Sequence, residues 1–193
     1  MFKLISLAAA SVLTASVAFA APQNYTFDTT HSQIVFNYNH LGFSTTTGMF
    51  SGVQGNIEFD AENPAASKVV ASFPVSSLIT ADKGRDTHFL TADFFGGEGK
   101  EPNVTFTSTS IKVTGEKSAL ITGNLTLNGV TKEVVLDTVL NQQANHPMAN
   151  KPWIGFDATT TLLRSEFNLG KFAPAIADEV KIRISVEAQQ ADK

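Results

Sequence analysis

One segment near the C-terminus alternates strictly: Val180, Ile182, Ile184 and Val186 are apolar, and Lys181, Arg183, Ser185 and Glu187 between them are polar. A period of two puts each set on its own face of an extended chain, so this is a strand with one face buried and one in water. The same period runs through Ile34, Phe36 and Tyr38, through Val69, Ala71, Phe73 and Val75, and through Ile154, Phe156, Ala158, Thr160 and Leu162. One polar face throughout means an antiparallel sheet, because parallel strands covered on both sides read as continuous apolar runs.

Asn128-Gly129 sits between Leu125/Leu127 and Val130/Val134/Leu136 and marks a tight hairpin, since both turn residues accept positive φ. A two-residue turn pairs Leu127 with Val130, Thr126 with Thr131 and Asn124 with Glu133. Lys132 then falls on the apolar face opposite Leu125, which places it at a sheet margin or calls for a bulge. Strands are expected at roughly 25–28, 32–39, 44–60 (long and bent at Gly48, Gly52 or Gly55), 67–76, 104–113, 118–127, 130–142, 153–165 and 178–188. That is about eight to ten strands in one domain, which favours a closed barrel or a sandwich, and closure removes exposed edges. Residues 76–95 interrupt the series. Asp82 caps a short helix carrying Arg85, His88 and Phe89 on one face, a helical insertion over one end of the sheet. The stretch from Gln142 to Pro152 is polar and expected as an exposed loop.

Residues 1–20 have the form of a secretory leader: Lys3 supplies the positive start, Leu4 to Phe19 the apolar stretch, and Ala18-Phe19-Ala20 the small-x-small cleavage pattern. Cleavage after Ala20 leaves residues 21–193 as a single domain large enough to bury a core. Without Cys that domain is held by packing, not disulfides. The net charge of −4, spread without runs, argues against nucleic acid as a partner. After the leader come thirteen of the fifteen Phe, with one Trp and two Tyr. Such an interior is either a plain core or the lining of a cavity.

Candidate chemistry is sparse. His31, His40, His88 and His146 include no close pair, so the spacing announces no metal site, and the remaining alternative is an ion gathered by His31, His40 and His88 across the fold. There is no Gly-x-Ser-x-Gly elbow, and Ser32 after His31 does not make a dyad. Arg85-Asp86-Thr87-His88 and Arg164-Ser165-Glu166 are two charged knots beside apolar residues. They read first as ion pairs pinning the insertion to the rim, with a head-group site as the alternative. Gly42, Gly48, Gly52 and Gly55 form no phosphate loop and suit turns and strand bends.

These residues also occur as an ordered set: His31-Ser32 with Phe36, His40-Leu41-Gly42-Phe43-Ser44, Gly48-x-Phe50 with Gly55 and Asp60, and Arg85-Asp86-x-His88. Asp93-Phe94, Pro102-x-x-x-Phe106-x-Ser108, Gly123-x-Leu125-Thr126-Leu127-x-Gly129-Val130-Thr131 and Arg164-x-x-Phe167 follow. In this order they resemble the YceI-like proteins over essentially all of residues 21–193. Phe89 in place of Leu and Glu166 in place of Asp are conservative departures. The resemblance implies an eight-stranded, lipocalin-like antiparallel barrel, exported to the bacterial periplasm, that binds a long isoprenoid or similar lipid inside, in a family of binding proteins with no established catalytic residues.

The reading is therefore an all-β barrel whose partner is a polyisoprenoid-type lipid such as a prenyl quinone, with no cofactor, no metal and no stable membrane insertion. A homodimer is left open. Strand parity makes Ile34, Phe36, Phe73, Phe106, Phe156 and Leu162 the ligand-facing residues, and Arg85, Asp86, His88 and Arg164 the candidate rim or head-group residues. Two rivals stand beside it: an enzyme acting on an apolar substrate at Arg85, Asp86 and His88, and a stress or scaffold protein with a filled core.

Overall fold

The computed structural model describes residues 21–96 and 103–192. The leader lies outside them. Ten strands are present: β1 Gln23–Phe27, β2 Gln33–His40, β3 Ser44–Phe50, β4 Gln54–Phe59, β5 Lys68–Pro74, β6 Asn103–Gly115, β7 Ser118–Leu127, β8 Val130–Asn145, β9 Pro152–Leu163 and β10 Glu179–Gln190. Among the described residues a single α-helix, α1, spans Lys83–Phe89.

The ten strands make a closed eight-stranded barrel because two of its staves are broken. β1 and β2 both pair with β10, Tyr25 to Phe27 against Ala188 to Gln190 and Gln33 to Asn37 against Lys181 to Ser185. Their partners β4 and β3 are likewise two halves of one long strand, broken at Ser51–Val53, where Gly52 takes φ +67°. From β4 the order runs β5, β6, β7, β8, β9, β10 and back to β1, antiparallel throughout, so the ring has no free edge along that path.

The hairpin register is the expected one, with Leu127 opposite Val130, Thr126 opposite Thr131 and Asn124 opposite Glu133. Asn128 (φ +50°) and Gly129 (φ +76°) form the turn. Lys132 does face Leu125, near the margin, where its ammonium reaches Glu166 at 3.6 Å. The polar stretch after Gln142 differs from its expectation as a loop. Gln142 to Asn145 continue β8 and pair with Pro152 to Gly155, after a bulge between Leu140 and Gln142. Backbone pairing needs no apolar side chains, and the period-two signal fades there because both faces are polar. Gly48 is a second difference: it is neither a turn nor a bend but an interior residue of β3, opposite Phe36.

The insertion closes one end of the barrel. Asp82 caps α1 by accepting from the Arg85 backbone N–H at 2.8 Å, as its position in the sequence indicates. Phe89, Phe94 and Phe95 descend from the insertion onto Phe167, Leu169, Leu125, Leu127 and Leu162. Phe94 and Phe89 meet edge to face at 5.0 Å, and Phe95 meets Phe50 the same way at 6.1 Å. Among the described residues no helix is long and apolar enough to cross a membrane.

Candidate functional site

The barrel encloses a cavity of about 340 Å³, within the size range of small-molecule pockets (~300–1,000 Å³). The interior is therefore not the filled core of the third reading. Inward positions of every stave contribute to its wall. The residues chosen by strand parity, Ile34, Phe36, Phe73, Phe106, Phe156 and Leu162, all stand on it.

Missed at the sequence level was the far wall, formed by Ile111 and Val113 of β6, Ala119 and Ile121 of β7, and Val134, Leu136 and Leu140 of β8. The alternation in β8 could have found Leu136 and Leu140. Ile111 and Val113 could not be placed that way, because a bulge between Ser108 and Ser110 shifts the inward face of β6 from even to odd positions.

Polarity is distributed unequally along the cavity. Its middle is apolar apart from Thr138 and Thr160. At the insertion end it is lined by Phe94, Phe167 and Leu169, all buried, together with Arg164 and the exposed Lys171. The opposite end is lined by Ser67, Lys68, Glu116, Lys117 and Ser118, and there the inward-facing Val113 is 46 % exposed. The cavity is thus an apolar tube with polar side chains toward both ends, one of them between the β4–β5 loop and the β6–β7 turn.

The charged knots lie elsewhere. Arg85, Asp86 and His88 are absent from the cavity wall. Asp86 accepts from the backbone N–H and hydroxyl of Thr80, and His88 Nε2 lies 3.1 Å from Asp93. The Arg85 side chain forms no salt bridge with a described residue. The three therefore do not converge, and the cluster that an enzymatic reading needs is not assembled. Asp93 also takes Lys171 at 2.9 Å; that hydrogen bond first, and the one to His88 second, hold its carboxyl below the usual value.

Arg164 does reach the cavity end, but its guanidinium is committed to the chain. It donates to the carbonyls of Ala177, Leu169, Lys171 and Ile176, tying down the segment from 164 to 178. Burial draws its pKa down, against the pull of Asp178. A guanidinium saturated by four carbonyls fixes the loop and has little left for a head group.

His31, His40 and His88 are not brought together. His31 and His40 flank opposite ends of β2, ~30 Å apart for an extended chain. His31 Nδ1 instead lies 2.7 Å from Asp28, and Glu187 joins them with ligand atoms within 4.8 Å. These groups already have partners, since Glu187 accepts from the Trp153 indole N–H at 2.9 Å. The hydrogen bond to Asp28 raises the pKa of His31. On Asp28 burial pushes upward, but the bonds from His31 and Thr30 outweigh it and lower the carboxyl.

With this geometry in view, the comparisons with known proteins agree. A YceI-like domain model matches residues 25–188. A UPF0312 protein of Pectobacterium carotovorum is 41 % identical over 186 residues, covering 95 % of both chains, and Protein YceI of Escherichia coli O157:H7 is 38 % identical over 188 residues, 97 % of both. The chain belongs to the YceI-like family. In fold it is similar to the YCEI protein of Campylobacter jejuni, with a TM-score of 0.70 and 29 % identity over 80 % of this chain and 90 % of that one. It also shares its fold with a polyisoprenoid binding domain from Saccharophagus degradans, TM-score 0.66 at 13 % identity, covering 86 % and 98 %.

Proposed function

We propose that this protein holds a polyisoprenoid-type lipid, a prenyl chain or prenyl quinone, inside the barrel, and that it does so in the periplasm as a carrier, store or sequestering protein. The observation that carries the reading is the tube whose middle is apolar apart from two threonines and whose charged groups lie at its ends. Such a shape suits a long slender chain with one polar head. The tail lies toward Phe94, Phe167 and Leu169, and the head rests near Ser67, Lys68, Lys117 and Ser118. Burying ten methylene equivalents stabilises a complex by ~8 kcal/mol before ordering costs, so affinity needs few polar contacts. Ile34, Phe36, Phe73, Phe106, Phe156 and Leu162 are the chain contacts in this reading.

Two further facts support it. The fold is shared with a domain named for polyisoprenoid binding. Residues 1–20 have the pattern of an export leader. The test is native mass spectrometry of the protein purified from its own host, with and without added prenyl quinone. A mass increment matching an isoprenoid lipid is expected. Repeated recovery of lipid-free protein that also takes up no added quinone would sink the proposal.

A further inference from the structure

Two glycines on the inner face of the barrel stand where a side chain is expected. Gly48 lies between Thr46 and Phe50 on the inward face of β3, and Gly123 between Ile121 and Leu125 on that of β7. Neither takes a left-handed φ, so backbone conformation does not call for glycine at either. A glycine inside a strand costs ~0.5–1 kcal/mol relative to Ala.

What demands glycine is an aromatic ring lying on each. A Cβ at Gly48 would sit 2.3 Å from Phe36 Cζ and 2.7 Å from its Cε1; one at Gly123 would sit 2.4 Å from Phe106 Cζ and 2.6 Å from its Cε2. Phe36 is the direct cross-strand partner of Gly48, and Phe106 is the diagonal neighbour of Gly123, through Leu125. Both rings line the cavity, yet each is only 8 % exposed. Their tips are laid along the wall over bare backbone instead of projecting across the lumen.

We propose that Gly48 and Gly123 set the bore of the cavity by seating Phe36 and Phe106 against the wall, and that they thereby decide how long a chain the barrel admits. The inference rests on the lipid-binding reading and adds to it which residues govern chain-length selection. The arrangement occurs twice, on the β2–β3 and β6–β7 pairs, two walls separated by β5 on one side of the ring. Phe36 cannot slide sideways when its seat is filled, because Phe50 lies against it at 5.5 Å between ring centres. Its free direction is the lumen.

Gly48→Ala is the cleaner variant, since the three atoms nearest its Cβ all belong to the Phe36 ring, whereas at Gly123 the Thr107 carbonyl oxygen stands 2.6 Å away. Two readouts separate this inference from the reading beneath it: a crystal structure of the variant, which needs no lipid, and titration with an octaprenyl and a diprenyl quinone. The expected result is Phe36 turned into a smaller cavity, with octaprenyl quinone bound about tenfold more weakly and diprenyl quinone little changed. Gly48→Ala combined with Phe36→Leu removes the clash and restores long-chain binding. The inference is overturned if the cavity keeps its volume in Gly48→Ala, or if the folded double variant still discriminates against the long chain. Should native protein take up neither quinone, the lipid reading fails, while the crystallographic volume still decides whether the glycines set the bore.

Discussion

Two walls of the same barrel, built from the same alternation of apolar and polar residues, differ in what their inward side chains meet. On the β1–β4 wall and its neighbours Phe27, Ile34, Phe36, Phe50, Val53, Ile57, Ile154 and Ala188 are all buried and pack on one another. On the β6–β8 wall Ile111, Ile121, Leu125, Val134, Leu136 and Leu140 point inward just as strictly but are only half-buried, although residues of both walls line the cavity. The difference lies in how far each wall's side chains cover one another, not in which wall meets the lumen. The first wall gives the domain its stability, and the second gives it room.

The sharpest way to break this comparison is to delete the same bulk from each wall. Ile154→Ala on the packed side is expected to cost ~2–5 kcal/mol, since it opens a new cavity among close-packed neighbours. Leu136→Ala on the open side enlarges a space already present, and its cost is expected to stay below about 2 kcal/mol. Equilibrium urea unfolding of both variants measures the gap. Equal losses would mean that the open wall is packed as tightly as the other.

Filling is the complementary test and the next in size. Leu136→Phe adds volume where the lumen can take it, so stability should shift by less than about 1 kcal/mol, while quinone uptake falls about tenfold. A stability loss without loss of uptake would contradict the assignment of Leu136 to the ligand-facing wall.

The smallest effect expected is one of pH at the rim. Asp178 accepts from the Ser165 hydroxyl at 2.6 Å and its backbone N–H at 2.8 Å, and the hydroxyl bond first among causes holds its carboxyl below the usual 3.8. A depressed carboxylate stabilises the folded state above the unfolded pKa and loses that contribution as pH falls through the folded one. Amide exchange in residues 164–178 should therefore rise as the pH drops below 3.8, while the packed wall stays protected. For so exposed a group the effect stays under about 1 kcal/mol, and Asp178→Asn should abolish most of the pH dependence. Exchange rising equally in both regions would show global acid unfolding instead.

The strands were legible in the sequence because a half-buried sheet writes its two faces into alternate residues. The Asn128-Gly129 turn pinned the register of one hairpin, and Asp82 marked the start of α1. Six cavity residues followed from the same parity. The charged knots were legible as rim contacts, but not their partners: Asp86 takes Thr80, His88 meets Asp93, which also takes Lys171, and Arg164 spends its donors on carbonyls that no local pattern reveals. The role of Gly48 was likewise invisible, since a glycine in a row of residues looks like a bend until the ring lying on it is seen.

By itself, then, the sequence determined that this chain is an antiparallel β protein with a Phe-rich inside and little polar chemistry, because alternation and turn residues act through the local backbone. Whether those phenylalanines surround space or each other depended on distances across the barrel, between residues far apart in the chain. The tertiary structure decided it: Phe50 meets Phe36 and Phe73 at 5.5 and 5.0 Å along one wall, and the ring tips of Phe36 and Phe106 rest over glycines, leaving a cavity of about 340 Å³ between the walls.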